Sequence, residues 1–169
     1  PNSGHHAVAE LQKIGKLNFL ISQNVDNLHL KSGIRPELLA ELHGNLSKMR
    51  CTECGETTDR SFGETACRCG GMLVKSIVDF GQSLPEKDLM LSFHHSGKCD
   101  LFIVIGSSLV VSPAADMPME ALRAGAKLVI INMGGTPFDG HAHLKFHEEI
   151  NEVLPRAVKR LKKLMGLIE

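Results

Sequence analysis

Apolar and polar positions along the chain follow a helix-then-strand order that occurs three times. In the first unit Ala7, Val8, Leu11 and Ile14 recur at helical spacing and Gly15 stops the run. Leu17-Asn18-Phe19-Leu20-Ile21 then reads as a strand that ends in Ser22-Gln23-Asn24. The second unit is a helix from Pro85 to His95, closed near Gly97, followed by Leu101-Phe102-Ile103-Val104-Ile105 and Gly106-Ser107-Ser108. The third runs from Met117 to Ala124, then Gly125, then Leu128-Val129-Ile130-Ile131 and Asn132-Met133-Gly134. Near-continuous apolar strands are expected where helices cover both faces of a parallel sheet. Ligands of such sheets bind beyond the carboxyl ends of the strands. Three strand tips that change abruptly to small or amide residues therefore predict one shared ligand edge.

A last helix is expected over about Glu152 to Met165, with Val153, Leu154, Val158, Leu161 and Met165 inward. Its Arg156, Lys159, Arg160, Lys162 and Lys163 read as a solvated face. Composition narrows the function classes. Of 169 residues, Lys+Arg and Asp+Glu number 19 each, so no net field draws the molecule to nucleic acid or anionic membrane. Trp and Tyr are absent, which argues against a base-stacking platform. No apolar run approaches the roughly 20 residues of a membrane span. Pro1 to His6 has neither the basic end nor the apolar stretch of a signal peptide.

Between the first two units lies a segment of different character, Ser47 to Lys75, rich in Cys, Gly, Thr and Arg. Cys51-x-x-Cys54 is followed after twelve residues by Cys67-x-Cys69-Gly70-Gly71. Two thiolate pairs at this separation can close a tetrahedral zinc site, and glycine relieves the tight turn. The second pair is one residue shorter than the common spacing, and free buried or redox-active cysteines are the competing reading. So few apolar side chains cannot fold by burial, so the metal would supply the folding free energy. Clustered cysteines of odd total fit metal chemistry in a reducing, intracellular compartment better than a disulfide framework. Cys99, before a strand, reads as plain core. His141, His143 and His147 raise a second metal site, but without a further ligand they read as surface histidines.

The residues now assembled resemble the sirtuin family. Ser22 to His29 resembles its (T/S)QNxDxLH motif, Leu42-His43-Gly44-Asn45 its HG motif, and the four cysteines fall where its zinc module lies. Ile77 to Pro85 is similar to its VxFGExLP stretch, Gly106-Ser107-Ser108-Leu109 to its GTS/GSS loop, and Ile131-Asn132 to its strand-end Asn. Ala40 to Leu46 and Ile77 to Gly81 look closest to the class IV branch. Departures are Gln82 for the usual Glu, Asp79 for an apolar or aromatic residue, and the short second cysteine pair. The family's first strand and its GAGxS…GIPDFRG loop have no counterpart in residues 1–16.

The resemblance implies an α/β fold: an incomplete Rossmann-like parallel sheet flanked by helices, with a small inserted zinc-binding module. Residues 1–46 and 76–169 would form the NAD-binding domain and 47–75 the zinc module. The implied activity is NAD-dependent protein-lysine deacylation, giving free lysine, nicotinamide and acyl-ADP-ribose. His43 would be the general base, taking a proton through the ribose hydroxyls, a task suited to imidazole near neutral pH. Gln23, Asn24, Val25, Asp26, Gly106, Ser107, Ser108, Asn132 and Ile150 would bind NAD. Val78, Phe80 and Gly81 would hold an acylated-lysine peptide as an added strand. Cys51, Cys54, Cys67 and Cys69 would hold a structural zinc.

Two other functions stay open. One is mono-ADP-ribosyl transfer on the same scaffold. The other is a non-catalytic fragment that binds zinc and peptide without a complete NAD pocket. By itself the chain is expected to be a weak or inactive deacylase that self-associates or takes a complementing segment.

Overall fold

The computed structural model describes residues 1–59, 65–79 and 81–169; Arg60 and Phe80 lie outside the described residues. Helix α1 spans Ser3–Lys13 and begins at a reciprocal cap. The Asn2 side chain accepts from the His5 N–H, while the His5 ring accepts from the Asn2 N–H. Its buried face is Ala7, Val8 and Ala9, which lets a neighbouring helix approach closely. That neighbour is α5, Ile150–Leu164. Pro155 lies inside α5 and cannot donate back along the helix. The Asn151 carbonyl is met by Ser3 Oγ at 3.3 Å, and Asn151 Oδ1 accepts from the Gly4 N–H at 3.1 Å. The two helix starts are thereby locked together.

Strand β1, Leu20–Ser22, pairs in parallel with β2, Leu39–Glu41, in the register Leu20↔Leu39 to Ser22↔Glu41. A short helix α2, Leu28–Lys31, lies between them. The cysteine-rich segment folds as an antiparallel sheet of β3 (Lys48–Cys51), β4 (Thr57–Asp59) and β5 (Leu73–Lys75), with β3 central. Then come α3 (Glu86–Ser96), β6 (Leu101–Ile105), α4 (Met117–Arg123), β7 (Lys127–Ile131) and β8 (Leu144–Phe146). Strands β6, β7 and β8 form a parallel sheet in that order.

The alternating plan holds, with differences. The first strand starts at Leu20 and runs to Ser22, and β2 and β8 are additional three-residue strands. Such short strands carry no period that sequence can reveal. The parallel strands fall into two sheets, β1–β2 and β6–β7–β8, that share no ladder among the described residues. Both are covered by one core in which Ala7, Val8 and Ala9 of α1 meet Leu39, Ile131, Leu154 and Val158. Each such fully buried large side chain contributes about 1.5–3 kcal/mol. Met165 is not inward: α5 ends at Leu164, and Met165 is 39% exposed. Cys99 is only half-buried, and its Sγ donates to the Ser96 carbonyl at 3.3 Å.

Candidate functional site

The tips of β1, β6 and β7 converge. The Gly106 N–H donates to the Ile131 carbonyl at 2.9 Å, so the loop after β6 stays beside the end of β7. Ser107 Oγ donates to Gln23 Oε1 at 3.4 Å, joining side chains from the two separate sheets. Ile150, the first residue of α5, closes the same corner: a Cβ on Gly106 would stand 2.8 Å from its Cδ1. Asn132 follows β7; its N–H donates to the Phe146 carbonyl and its Nδ2 to the Gly134 carbonyl. Gln23, Gly106, Ser107, Asn132 and Ile150 therefore share one edge, as the strand tips predict.

The remaining residues of the 23–26 loop are shaped by local bonds. The Asn24 N–H donates to Ser22 Oγ, the Asp26 carboxylate accepts from the Leu28 N–H, and the Val25 carbonyl accepts from the Leu46 N–H. Asn24, Asp26 and Ser108 are exposed, with side chains open to solvent. Close by, His29 Nδ1 is buried and finds no hydrogen-bond partner among the described residues. Burial first, and the neighbouring His5 second, lower the His29 pKa and so favour its neutral ring.

His43 stands in the turn after β2 at the junction of two other segments. Its Nδ1 lies 3.1 Å from the Gln23 carbonyl, and its own carbonyl accepts from the Val78 N–H at 3.1 Å. A carbonyl can only accept, so in the neutral ring Nδ1 carries the hydrogen and Nε2 the free lone pair. Gly44 makes the approach possible: its φ is +78°, and a Cβ there would lie 2.0 Å from the Ser76 carbonyl oxygen. Of the expected peptide-binding residues, Val78 already uses its N–H on His43. Gly81 is exposed, and Phe80 lies outside the described residues.

Sequence reasoning gave no role to the polar residues beneath this turn: Glu41, Asn45, Lys48 and Ser76. Asn45 is 1% exposed and Ser76 3%. The available signal was the run Glu41-Leu42-His43-Gly44-Asn45, in which polar residues flank a strand end.

The four cysteines gather at the end of β3. Their sulfurs all lie within 4.8 Å of one another, with Cys51–Cys69 at 3.4 Å and Cys54–Cys67 at 3.8 Å. Zinc–sulfur bonds of about 2.3 Å in a tetrahedron require sulfurs about 3.8 Å apart, so the set fits that ion. The shortened second pair is accommodated by a tight turn in which the Gly70 N–H bonds the Cys67 carbonyl at 2.9 Å. The Cys54 N–H, and then that of Glu53, hold the Cys51 thiol down to about 6. Among the described residues no other group of metal-ligating side chains forms. His143 Nδ1 accepts from the Leu128 N–H, His147 lies against the Met133 carbonyl and His141 packs near Phe138. No helix among the described residues is long and apolar enough to cross a membrane.

A model of the Sir2 family matches residues 1–113. An NAD-dependent protein deacylase of Archaeoglobus fulgidus is 42% identical over 174 residues, covering 97% of this chain and 68% of that protein. An NAD-dependent protein deacetylase of Oceanobacillus iheyensis is 41% identical over 152 residues, covering 88% of this chain and 64% of that protein. The chain thus spans about two-thirds of these relatives. A solved structure of Sir2Af2 bound to a myristoylated histone peptide superposes with a TM-score of 0.82 at 40% identity, over 98% of this chain and 74% of that one.

Proposed function

Because the chain belongs to the Sir2 family, we propose that it forms part of an NAD-dependent protein-lysine deacylase with His43 as general base. One observation carries this reading: His43 bonds the Gln23 carbonyl through its ring and the Val78 N–H through its backbone, each at 3.1 Å. The base thereby stands between the proposed dinucleotide edge and the proposed peptide stretch. Fixing the hydrogen on Nδ1 leaves Nε2 to take up and later return a proton.

NAD, when bound, supplies the ribose carbon from which nicotinamide departs. Gln23, Asn24 and Asp26 offer amide and carboxylate groups to its hydroxyls and carboxamide, with Val25 completing the loop. Gly106, Ser107, Ser108 and Asn132 receive the adenosine side, and Ile150 gives an apolar wall. At 3.4 Å the Ser107–Gln23 bond is long, so both side chains can release it for a ligand. Val78, Phe80 and Gly81 hold the acyl-lysine peptide through backbone groups other than the Val78 N–H. Cys51, Cys54, Cys67 and Cys69 hold zinc as a closed, structural site.

The test compares the natural full-length protein with its His43→Ala variant, on NAD and an acetyl-lysine peptide. Nicotinamide release coupled to free-lysine product should fall by about 10²–10⁴-fold with the fold intact. Activity within a few-fold of the parent assigns the base elsewhere. ADP-ribosylated peptide in place of free lysine identifies a transferase.

A further inference from the structure

Beneath the His43–Gly44 turn lies a polar cluster to which the deacylase reading gives no part. Glu41 ends β2, and its side chain is 13% exposed. Oε2 accepts from Lys48 Nζ at 2.7 Å, and Oε1 accepts from Asn45 Nδ2 at 2.6 Å. Asn45 Nδ2 also donates to Asn27 Oδ1 at 2.9 Å, and Asn45 Oδ1 accepts from the Ser47 N–H at 2.8 Å. The Asn45 amide can point only one way: inverted, its oxygen would face the Glu41 carboxylate and the Asn27 oxygen. Its backbone is fixed as well, the N–H donating to Ser76 Oγ at 3.0 Å and the carbonyl accepting from the same hydroxyl at 2.7 Å.

The topology of these bonds matters more than their number. Glu41 lies two residues before His43 and Asn45 two after, so the 2.6 Å bond closes a ring of chain around His43. Within that ring the Gly44 N–H also bonds the Glu41 carbonyl at 2.9 Å. Lys48 opens β3, the strand that ends at the zinc ligand Cys51. The ion pair therefore fastens the His43 turn to the cysteine module. Burying a charged pair is a poor source of stability compared with apolar packing, but it fixes geometry because each partner accepts few alternatives.

We propose that Glu41 is a positioning residue for His43, and that the Lys48–Glu41–Asn45 clasp sets the pose of the ring from the cysteine module. The proposal rests on the reading of His43 as the base. Only a carboxylate serves both partners: a glutamine would turn its NH₂ toward either Lys48 or the Asn45 amide.

The experiment uses Glu41→Gln, Lys48→Met, Lys48→Arg and the Glu41→Gln/Lys48→Met double variant of the full-length protein. Ring-nitrogen NMR of His43, identified by its loss in His43→Ala, reads the tautomer; zinc content and steady-state kinetics are measured alongside. Glu41→Gln should convert a single Nδ1–H tautomer into a mixture and lower kcat by about tenfold or more, while KM for NAD and peptide stays within about twofold. Zinc should remain at the parent level. Lys48→Arg should keep the parent tautomer, and the double variant should be no worse than Glu41→Gln, since one clasp is broken only once. An unchanged tautomer in Glu41→Gln, loss of zinc, or a KM change as large as that in kcat overturns the proposal. Should Glu41→Gln not fold, Lys48→Met is read by the same outcomes. The NMR signature needs no turnover, so it decides the positioning even if the deacylase reading fails.

Discussion

Replacing Gly44 by alanine perturbs the turn at its tightest point. The substitution places a Cβ at φ +78°, which costs an L-residue about 1–2 kcal/mol. The new carbon would stand 2.0 Å from the Ser76 oxygen and 2.5 Å from the Ser76 carbonyl carbon, against an ordinary contact of about 3.5 Å. Backbone cannot rotate away as a flexible side chain does, so the turn and the 76–77 segment must part by more than about 1 Å. That opening breaks both Asn45–Ser76 bonds and the Val78–His43 bond, each worth about 0.5–1.5 kcal/mol. The expected loss is about 3–6 kcal/mol, or roughly 10–20 °C in Tm for a chain of this size. Gly15→Ala is the control: its φ is +68° but nothing lies within 4 Å of the added Cβ. It should lose only the strain of about 1–2 kcal/mol. Thermal and urea denaturation of both variants decide the matter. If Gly44→Ala falls no further than Gly15→Ala, the close approach of the 76–78 segment to the turn is wrong.

Metal analysis of the purified protein should find one zinc per chain, and Cys51→Ser should lower both zinc content and Tm, as expected when metal supplies folding free energy. Ser107→Ala should raise KM for NAD while costing no more than about 1 kcal/mol of stability, because the two bonds it removes, to Gln23 at 3.4 Å and from the Leu109 N–H at 3.3 Å, are both long. Lys13, and then Lys162, hold the Glu10 carboxyl down to about 2. A carboxylate whose folded pKa is depressed stabilises above its unfolded value and loses that contribution as pH falls through the folded one. The stability gap between parent and Glu10→Gln should therefore be about 0.5–1 kcal/mol at neutral pH, after discounting for solvent screening, and close between about pH 5 and pH 2. A gap that persists at pH 2 would show that Glu10 acts through packing instead.

The long elements were readable because burial imposes a period. The strand Leu101–Ile105 is as its apolar run predicts, the starts and ends of α3, α4 and α5 shift by no more than two residues, and α1 ends within one residue of Ile14. The shared edge was readable too, since three strand tips change character at once. What escaped was set by tertiary bonds between residues distant in sequence. Strand β8 carries Lys145, which no period marks as internal; it is held by Asp139. Asn45 and Ser76 are polar, and burial is tolerable because the Ser76 hydroxyl bonds the Asn45 backbone and the Asn45 amide bonds Glu41, Asn27 and the Ser47 N–H. The motif around His43 pointed to chemistry but not to the support beneath it, because Glu41 and Lys48 meet through a turn whose shape sequence does not specify.

The division of the parallel strands into two sheets bears directly on how the site would work. Gln23 and His43 follow β1 and β2, whereas Ser107 and Asn132 follow β6 and β7. No backbone ladder among the described residues fixes one pair of tips against the other. Their spacing depends on the apolar core under α1 and α5, on a second cluster in which Ile21 and Leu42 meet Met117 and Phe102, and on a 3.4 Å hydroxyl–amide bond. A ligand that touches both tips would therefore add a link absent from the free chain, and its binding free energy would appear as stability. His43 is the point at which such a change reaches the proposed peptide stretch. Its ring answers to Gln23 on the dinucleotide side and its carbonyl to Val78 on the other, while Glu41 and Lys48 hold the turn from below. On the proposed reading, seating one substrate would bear on the residue that acts on the next through these single hydrogen bonds.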